Sequence, residues 1–185
     1  MYKIKKETKK NKTLNIEVLN LINEQLWLEN HASFYYLKLS IDFNEKGFNG
    51  ISNFFLTQSN EERNHMLKLM TYVMEKECTP TLPQYNFMED DENEFNVLSH
   101  FENSLYNERE VTASIHKIVA KCKEVGDYTT ENFMRWFVTE QREEENKFKE
   151  IIDNLKIIGN DGVGLYEINK NLLETNPVGP DSIGL

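Results

Sequence analysis

Four long apolar stripes with helical spacing run through this 185-residue chain, and a glutamate interrupts each stripe near its middle. The four acids are Glu29, Glu62, Glu108 and Glu144. Burying an ionised carboxylate is strongly unfavourable unless it is paired, protonated or bound to a metal. A single glutamate on a long helix is usually solvated, but four core stripes interrupted at one depth are hard to obtain by chance. The pattern therefore predicts a metal site inside a helical bundle.

The apolar residues of the stripes recur every three to four positions, which is typical of amphipathic helices. The stripes cover Thr13–Ile41, Ile51–Val73, Val97–Cys122 and Phe133–Leu155. A polar break at Asp42–Lys46 separates the first two helices, and Gly126 and Gly159 are predicted to end the third and fourth. Such short joints favour antiparallel neighbours.

A longer connection separates the second helix from the third. The segment Glu77–Asp91 contains Pro80, Pro83 and a run of acids, so it is too long for a hairpin turn and too rich in proline for a helix. After Gly159, the residues Leu165–Leu172 form a short amphipathic segment that must dock to be stable. We therefore expect an all-α four-helix bundle with a long crossover and a short fifth C-terminal helix.

Composition limits the possible partners and the domain count. The chain length suits one domain, which we place at residues 13–173, between a disordered basic arm at 1–12 and a flexible tail at 174–185. Acidic residues outnumber basic ones by 31 to 21, for a net charge of −10. This charge argues against nucleic-acid binding and fits cations as partners.

Two further features concern cellular location and cysteine chemistry. No apolar run approaches the roughly 18 residues of a membrane span, and the lysine-rich start lacks the apolar segment of a secretory signal. We therefore expect a soluble cytoplasmic protein that does not bind membranes. Cys78 and Cys122 belong to no CxxC pair, so we expect buried free thiols rather than a disulfide framework or a zinc finger.

The spacing of the candidate ligands specifies the metal site further. The four acids lie within about one turn of the same depth in their helices, so packed helices can bring them together. Glu62 and His65 are three residues apart and project from one helical face, as do Gln141 and Glu144. Oxygen-rich coordination with one imidazole suits iron or manganese. Five ligands favour two ions over one.

Several neighbouring residues have two possible interpretations. Tyr36 and Trp136 are either core aromatics or electron donors beside the metal site. The acids Glu61, Glu140 and Glu143 lie one step around the helices from the principal ligands, where they form either a solvated face or an extra cation site. The remaining histidines do not share the face of the acids, and we expect them on the surface. They are His31, His100 and His116.

Over Ile16–Leu173, the chain resembles the bacterial non-haem ferritins. The matching motifs are Asn23-Glu24-Gln25 with Leu28-Glu29, Glu61-Glu62-Arg63-Asn64-His65-Met66, Trp136 to Glu145, and Gly164-Leu165-Tyr166. The general carboxylate-bundle scheme has a glutamate from each of two helices and a Glu-x-x-His motif from each of the other two. Here the fourth helix has Gln141-x-x-Glu144 instead, which favours ferritin over bacterioferritins, rubrerythrins and oxygenase subunits. Arg63 stands where bacterioferritins have a haem-ligating methionine, so we expect no haem.

The resemblance implies a role for each candidate residue. Glu29, Glu62 and His65 would hold a first iron, with Glu62 bridging, while Glu108 and Glu144 would complete a second site. Gln141 would support that second site, and Tyr36 matches the tyrosine beside the centre. The remaining implied residues form a third iron site. They are Glu61, Glu140 and Glu143, together with Glu144.

The implied function is iron storage and detoxification. Fe(II) would be oxidised by dioxygen or hydrogen peroxide at the paired site, and Fe(III) would be stored as mineral inside a hollow shell of 24 identical subunits. Two alternatives remain open at this stage. One is a rubrerythrin-like di-iron peroxidase or oxygenase, and the other is a cage protein that binds cations without catalysis.

Overall fold

The structure is a computed structural model that describes residues 14–82, 95–159 and 161–176. It contains five helices in this part of the chain. They are α1 (Ile16–Glu45), α2 (Asn49–Glu75), α3 (Val97–Val125), α4 (Tyr128–Ile158) and α5 (Gly162–Thr175). The predicted all-α class is therefore confirmed. α1 packs most extensively on α2 and α3 on α4, and α1 also contacts α3. None of the described helices has a stretch long and apolar enough to cross a membrane.

Side-chain caps define where three of the bundle helices begin. Asn15 accepts a hydrogen bond from the Glu17 amide at 2.8 Å, and Asn96 does the same for α3. Asp127 caps α4 directly after Gly126, which ends α3 in the left-handed region at φ 73°. A glycine reaches that region without the steric cost of a Cβ atom. The predicted ends at Gly126 and Gly159 are both confirmed.

The first joint lies later than the sequence pattern predicted. α1 continues through Asp42–Glu45, so the predicted break at Asp42–Lys46 is wrong over most of its length. The reason is Phe43, which is fully buried and contacts a group of other aromatic rings. Burying such a side chain contributes roughly 2 kcal/mol, whereas polar residues reduce helix stability by at most about 0.7 kcal/mol each. The chain then reverses at Gly47, where φ is 82°.

The apolar core is divided into two clusters along the bundle axis. One cluster includes Leu26, Leu69 and Phe137, and the other includes Phe55 and Phe148. Buried polar residues occupy the level between the two clusters on all four bundle helices. They are Glu29 on α1, Gln58, Glu62 and His65 on α2, Glu108 on α3, and Gln141 and Glu144 on α4. The four buried acids Glu29, Glu62, Glu108 and Glu144 therefore lie at one depth of the bundle.

The fifth helix docks mainly on α2, as its amphipathic sequence required. Asn169 Oδ1 accepts hydrogen bonds from the Gly50 amide at 2.8 Å and the Ile51 amide at 3.1 Å. It thereby caps α2, which begins after Phe48 without a side-chain cap of its own. A Cβ atom on Gly50 would lie 1.7 Å from the Asn169 carbonyl oxygen, so this close approach of the two helices requires glycine.

Three predicted segments lie wholly or partly outside the described residues. These are the basic arm at 1–12, part of the crossover and most of the tail at 174–185. α2 ends at Glu75 and α3 begins at Val97, and residues 83–94 of the connection between them lie outside the described part of the chain. Cys78 and Cys122 are buried free thiols, as predicted, and burial raises the pKa of Cys122 to about 11.

Candidate metal centre

The five predicted principal ligands all lie at the polar level of the bundle. Glu29, Glu62, Glu108 and Glu144 are at most 1% exposed, and His65 is 5% exposed. Each comes from a stripe that otherwise faces the core, so the helical periodicity that buries the apolar residues also directs these side chains inward. The α1–α2 acids and the α3–α4 acids have different hydrogen-bonding partners.

On the α1–α2 side, Glu29, Glu62 and His65 offer ligand atoms that all lie within 4.8 Å of one another. His65 Nδ1 is 3.3 Å from Glu62 Oε2 and 3.9 Å from Glu29 Oε2. Gln25 Nε2 donates to Glu29 Oε1 at 2.8 Å. Glu29 Oε2 and Glu62 Oε1 are buried and have no hydrogen-bond partner. Buried acceptors without a partner are unusual in folded proteins, and these two oxygens fit the chemistry of a bound cation.

On the α3–α4 side, protein groups already satisfy most of the acid oxygens. The Tyr36 hydroxyl donates to Glu108 Oε1, and Gln141 Nε2 donates to Glu108 Oε2 at 2.6 Å and to the Glu108 carbonyl oxygen at 3.1 Å. Lys147 Nζ donates to Glu144 Oε1 at 2.9 Å, which leaves only Glu144 Oε2 without a partner. This side of the centre is therefore held in position by its surroundings.

Burial dominates the electrostatics of all four acids. Desolvation raises the pKa of Glu29 well above its usual value, and the negative charge of Glu62 raises it further. Desolvation, followed by the charge of Glu108, likewise raises the pKa of Glu62. The pKa values of Glu108 and Glu144 both rise to about 7, mainly through desolvation. Carboxyl groups in this state can release protons when a cation binds.

Two aromatic residues predicted near the centre occupy different environments. Tyr36 is fully buried, and its ring stacks on Phe55 and Phe148 while its hydroxyl contacts Glu108. Trp136 is 39% exposed and lies edge-on to the His65 ring at 5.5 Å. Tyr36 is thus both a core aromatic and a neighbour of a candidate ligand. Electron donation by either ring stays a prediction.

The second acidic group, which consists of Glu61, Glu140 and Glu143, is less compact than the group of Glu29, Glu62 and His65. Among residues 14–82, 95–159 and 161–176, Glu29, Glu62 and His65 form the one group of three potential ligands whose atoms meet the 4.8 Å limit. Glu61 and Glu140 are half-buried and Glu143 is exposed. Glu61 Oε2 accepts hydrogen bonds from Gln58 Nε2 and, at 3.1 Å, from Lys147 Nζ. A role of these acids in a third site stays a prediction.

Sequence reasoning missed Lys147 and did not assign Gln25 or Gln58 to the site. Gln25 contacts Glu29 and Gln58 contacts Glu61, and both glutamines interrupt apolar stripes at buried positions. Lys147 lies three residues after Glu144, the same spacing that pairs Glu62 with His65. Applying that spacing rule to every acid in turn would have found it.

The surface prediction holds for two of the three remaining histidines. His31 and His116 are exposed. His100 is half-buried, so the prediction was wrong for this residue. Its ring lies 5.5 Å from that of Phe43 and 5.1 Å from that of Phe95, because the aromatic cluster at this end of the bundle extends beyond the apolar stripe.

Four buried glutamates and one buried histidine on four packed helices form the kind of residue set that carboxylate-rich metal proteins with a four-helix bundle use. Comparisons with known proteins identify the family more closely. The family described as the ferritin-like domain matches residues 19–158. The chain belongs to the ferritin family.

Individual relatives agree with this assignment. A probable bacterial non-haem ferritin-like protein of Haemophilus influenzae is 37% identical over 160 residues, which cover 86% of this chain and 95% of the relative. The bacterial non-haem ferritin of Campylobacter jejuni is 36% identical over 153 residues, or 83% of this chain and 90% of the relative. An open-pore ferritin from Archaeoglobus fulgidus superposes with a TM-score of 0.81 at 30% identity, covering 86% of this chain and 96% of that one.

Proposed function

We propose that the buried centre binds Fe(II) in pairs and oxidises it to Fe(III) for storage. Membership of the ferritin family assigns iron binding and iron storage to the chain. The observation that carries the proposal is the pair of unpartnered buried oxygens, Glu29 Oε2 and Glu62 Oε1, beside His65. Leaving two buried acceptors unpaired is costly, and a bound cation would remove that cost.

The contacts suggest how two ions would be shared among the ligands. Glu29, Glu62 and His65 would hold the first iron, because their ligand atoms are already close together. Glu108 and Glu144 would hold the second, and Glu62 would bridge the two ions. The charges of Glu108 and Glu144 both act on Glu62, which supports a position between the two sides.

Gln141 and Tyr36 act on the second position through Glu108. Each donates a hydrogen bond to a different oxygen of that carboxylate and so fixes its orientation. Hydrogen bonds to a ligand from outside the coordination sphere commonly determine its geometry and affinity. The related peroxidases and oxygenases have Glu-x-x-His here, so Gln141 and Glu144 move the acid of this helix to the second motif position without changing its formal charge.

The reaction balances with either oxidant. Two Fe(II) ions each give up one electron, and dioxygen takes both electrons and two protons to form hydrogen peroxide. With hydrogen peroxide as oxidant, two electrons and two protons give two water molecules. Carboxylate ligands favour the reaction because anionic oxygen donors stabilise Fe(III) more than Fe(II). Carboxyls such as Glu108 and Glu144, whose pKa values lie at about 7, release protons as the iron binds.

Storage also requires a container, which one bundle does not provide. We propose that the subunits assemble into a closed homo-oligomeric shell, of 24 copies by resemblance. An apolar stripe on the outer face of α1 supports assembly, because exposed apolar patches commonly mark interaction surfaces. The stripe comprises Trp27, Phe34, Leu37 and Ile41, which are 37–55% exposed.

A double variant tests the site. We expect Glu62→Gln with His65→Ala to abolish fast Fe(II) oxidation after anaerobic loading and exposure to air, while particle mass stays unchanged. The matched control is Glu110→Gln with His116→Ala, which alters the same residue types at exposed positions of α3. Unchanged oxidation in the first variant would reject the site. A small particle that retains no iron after oxidation would reject storage and leave a small-molecule oxidase as the better account.

A further inference from the structure

Lys147 lies between two carboxylates that belong to different helices. Its Nζ atom is 2.9 Å from Glu144 Oε1 on α4 and 3.1 Å from Glu61 Oε2 on α2. Glu144 is fully buried, whereas the Lys147 side chain is 38% exposed and the Glu61 side chain 37%. The ammonium group therefore closes the buried centre on the side where the second acidic group begins.

This contact differs from an ordinary surface ion pair. Lys149, two residues further along α4, pairs with Glu145 at 3.0 Å, and that carboxylate is partly exposed. Such exposed pairs contribute little to stability. Lys147 instead donates to a buried carboxylate whose other oxygen has no partner, and it joins α4 to α2 at the depth of the metal centre.

The position of the ammonium group conflicts with a third metal ion at the same place. The predicted third site needs Glu61 and Glu144 as ligands, but both carboxylates already bind one positive charge through Lys147. Zinc approaches carboxylate oxygens to about 2.0–2.2 Å, and an iron ion bound at a similar distance from these oxygens would lie close to the ammonium nitrogen. Two cations at such a short distance repel each other strongly. The site can thus hold the lysine or the metal, but not both.

We propose that Lys147 takes the place of a third iron and limits each subunit to two tightly bound Fe(II) ions. The inference rests on the proposed function, because it assumes that the buried centre binds the first two. It assigns to Glu144 one oxygen for the second iron and one for the lysine. Glu140 and Glu143 then remain a solvated acidic face rather than ligands of a resident ion.

The test is anaerobic titration of the assembled full-length protein with Fe(II), with the number of tightly bound ions per subunit as the readout. We expect two for the unaltered protein and three for Lys147→Met, which keeps the length of the side chain and removes its charge. Lys147→Arg should bind two, since it restores the cation. Lys149→Met is the matched control and should also bind two. Particle mass and helical circular dichroism report whether each variant assembles.

Two further variants locate the third ion and guard against misfolding. Glu61→Gln in the Lys147→Met background should return the number to two. If Lys147→Met does not assemble, Lys147→Gln replaces it with the same expectation. The inference is overturned if the neutral variant that assembles binds two ions, or if the unaltered protein binds three. Failure of the proposed function looks different, because the unaltered protein would then bind no Fe(II) that Glu62→Gln removes.

Discussion

The α1–α2 candidate ligands and the α3–α4 acids of the centre are all buried, but their carboxylate oxygens differ in their hydrogen-bonding partners. Glu29 and Glu62 each keep an oxygen without a partner beside His65. Glu108, by contrast, accepts hydrogen bonds on both oxygens, and Glu144 accepts one from Lys147 and keeps only Oε2 without a partner. The first group therefore offers two open oxygens beside an imidazole, whereas the second offers one, and Glu108 must exchange or share its contacts to bind a cation. We therefore infer that iron enters the α1–α2 side first.

The comparison also explains how the fold tolerates four buried acids. On the α3–α4 side, hydrogen bonds from neighbouring side chains offset part of the desolvation cost. On the α1–α2 side, desolvation raises the pKa of Glu29 and of Glu62, which favours the neutral carboxyl group more than in an exposed glutamate. Local departures from good packing of this kind are expected at functional sites.

The largest expected effect is on Fe(II) binding, when one candidate ligand is replaced on each side of the centre. We expect Glu29→Gln to weaken binding of the first Fe(II) by at least about 100-fold, since even outer contacts of a metal site cost 10–100-fold. Glu108→Gln should leave the first ion bound and remove the second. Anaerobic Fe(II) titration measures both, with the exposed Glu24→Gln as control. Equal losses in the two variants would contradict the division of the centre.

The next effect concerns stability and pH in the metal-free protein. The pKa values of Glu108 and Glu144 are about 7 in the folded state against 4.5 ordinarily, so the folded chain holds more protons between these values. The stabilising contribution is therefore complete below about pH 4.5 and is lost as the pH rises through 7, on the order of 3 kcal/mol per group.

Denaturant unfolding at several pH values measures this change. Glu108→Gln with Glu144→Gln should flatten the decline, because neither side chain can then ionise. The comparison between sides is sharpened by adding Fe(II) anaerobically, which should oppose the loss of stability. A metal-free protein that becomes more stable from pH 4.5 to 7, with no difference in the double variant, would show that the two acids are already ionised.

The smallest expected effect follows from removing the hydrogen bond that Gln141 donates to Glu108 in the second iron site. Gln141→Leu removes the donor at 2.6 Å from Glu108 Oε2 and should weaken the second ion by about 10-fold, the lower end for such contacts. Binding of the first ion should not change. The control is Gln25→Leu, which removes the donor to Glu29 and should affect the first ion instead. Identical profiles for the two variants would argue that the sides are not independent.

Much of the fold and the burial of the candidate ligands could be predicted from sequence, because both depend on helical periodicity. Glu29, Glu62, Glu108 and Glu144 stand out as charges in apolar stripes, and a stripe position translates directly into a buried direction. The helix end at Gly126 could also be predicted from sequence, because glycine adopts the left-handed conformation without the steric cost of a Cβ atom.

The features that escaped prediction depend on contacts between helices. Phe43 extends α1 through rings from other elements, and Gly50 is required only because Asn169 lies against it. The spacing of Lys147 from Glu144 is local, but its second contact, with Glu61, exists only because α2 packs beside α4. No local pattern on one helix contains such information, so these contacts had to come from the packed structure.

The most direct test of the central claim is anomalous diffraction at the iron edge from crystals loaded anaerobically with one and then two Fe(II) per subunit. At one equivalent, we predict a single peak among Glu29, Glu62 and His65. At two equivalents, a second peak should lie beside Glu108 and Glu144. A first peak beside Glu108 and Glu144, or one at Glu61 in place of Lys147, would contradict the account.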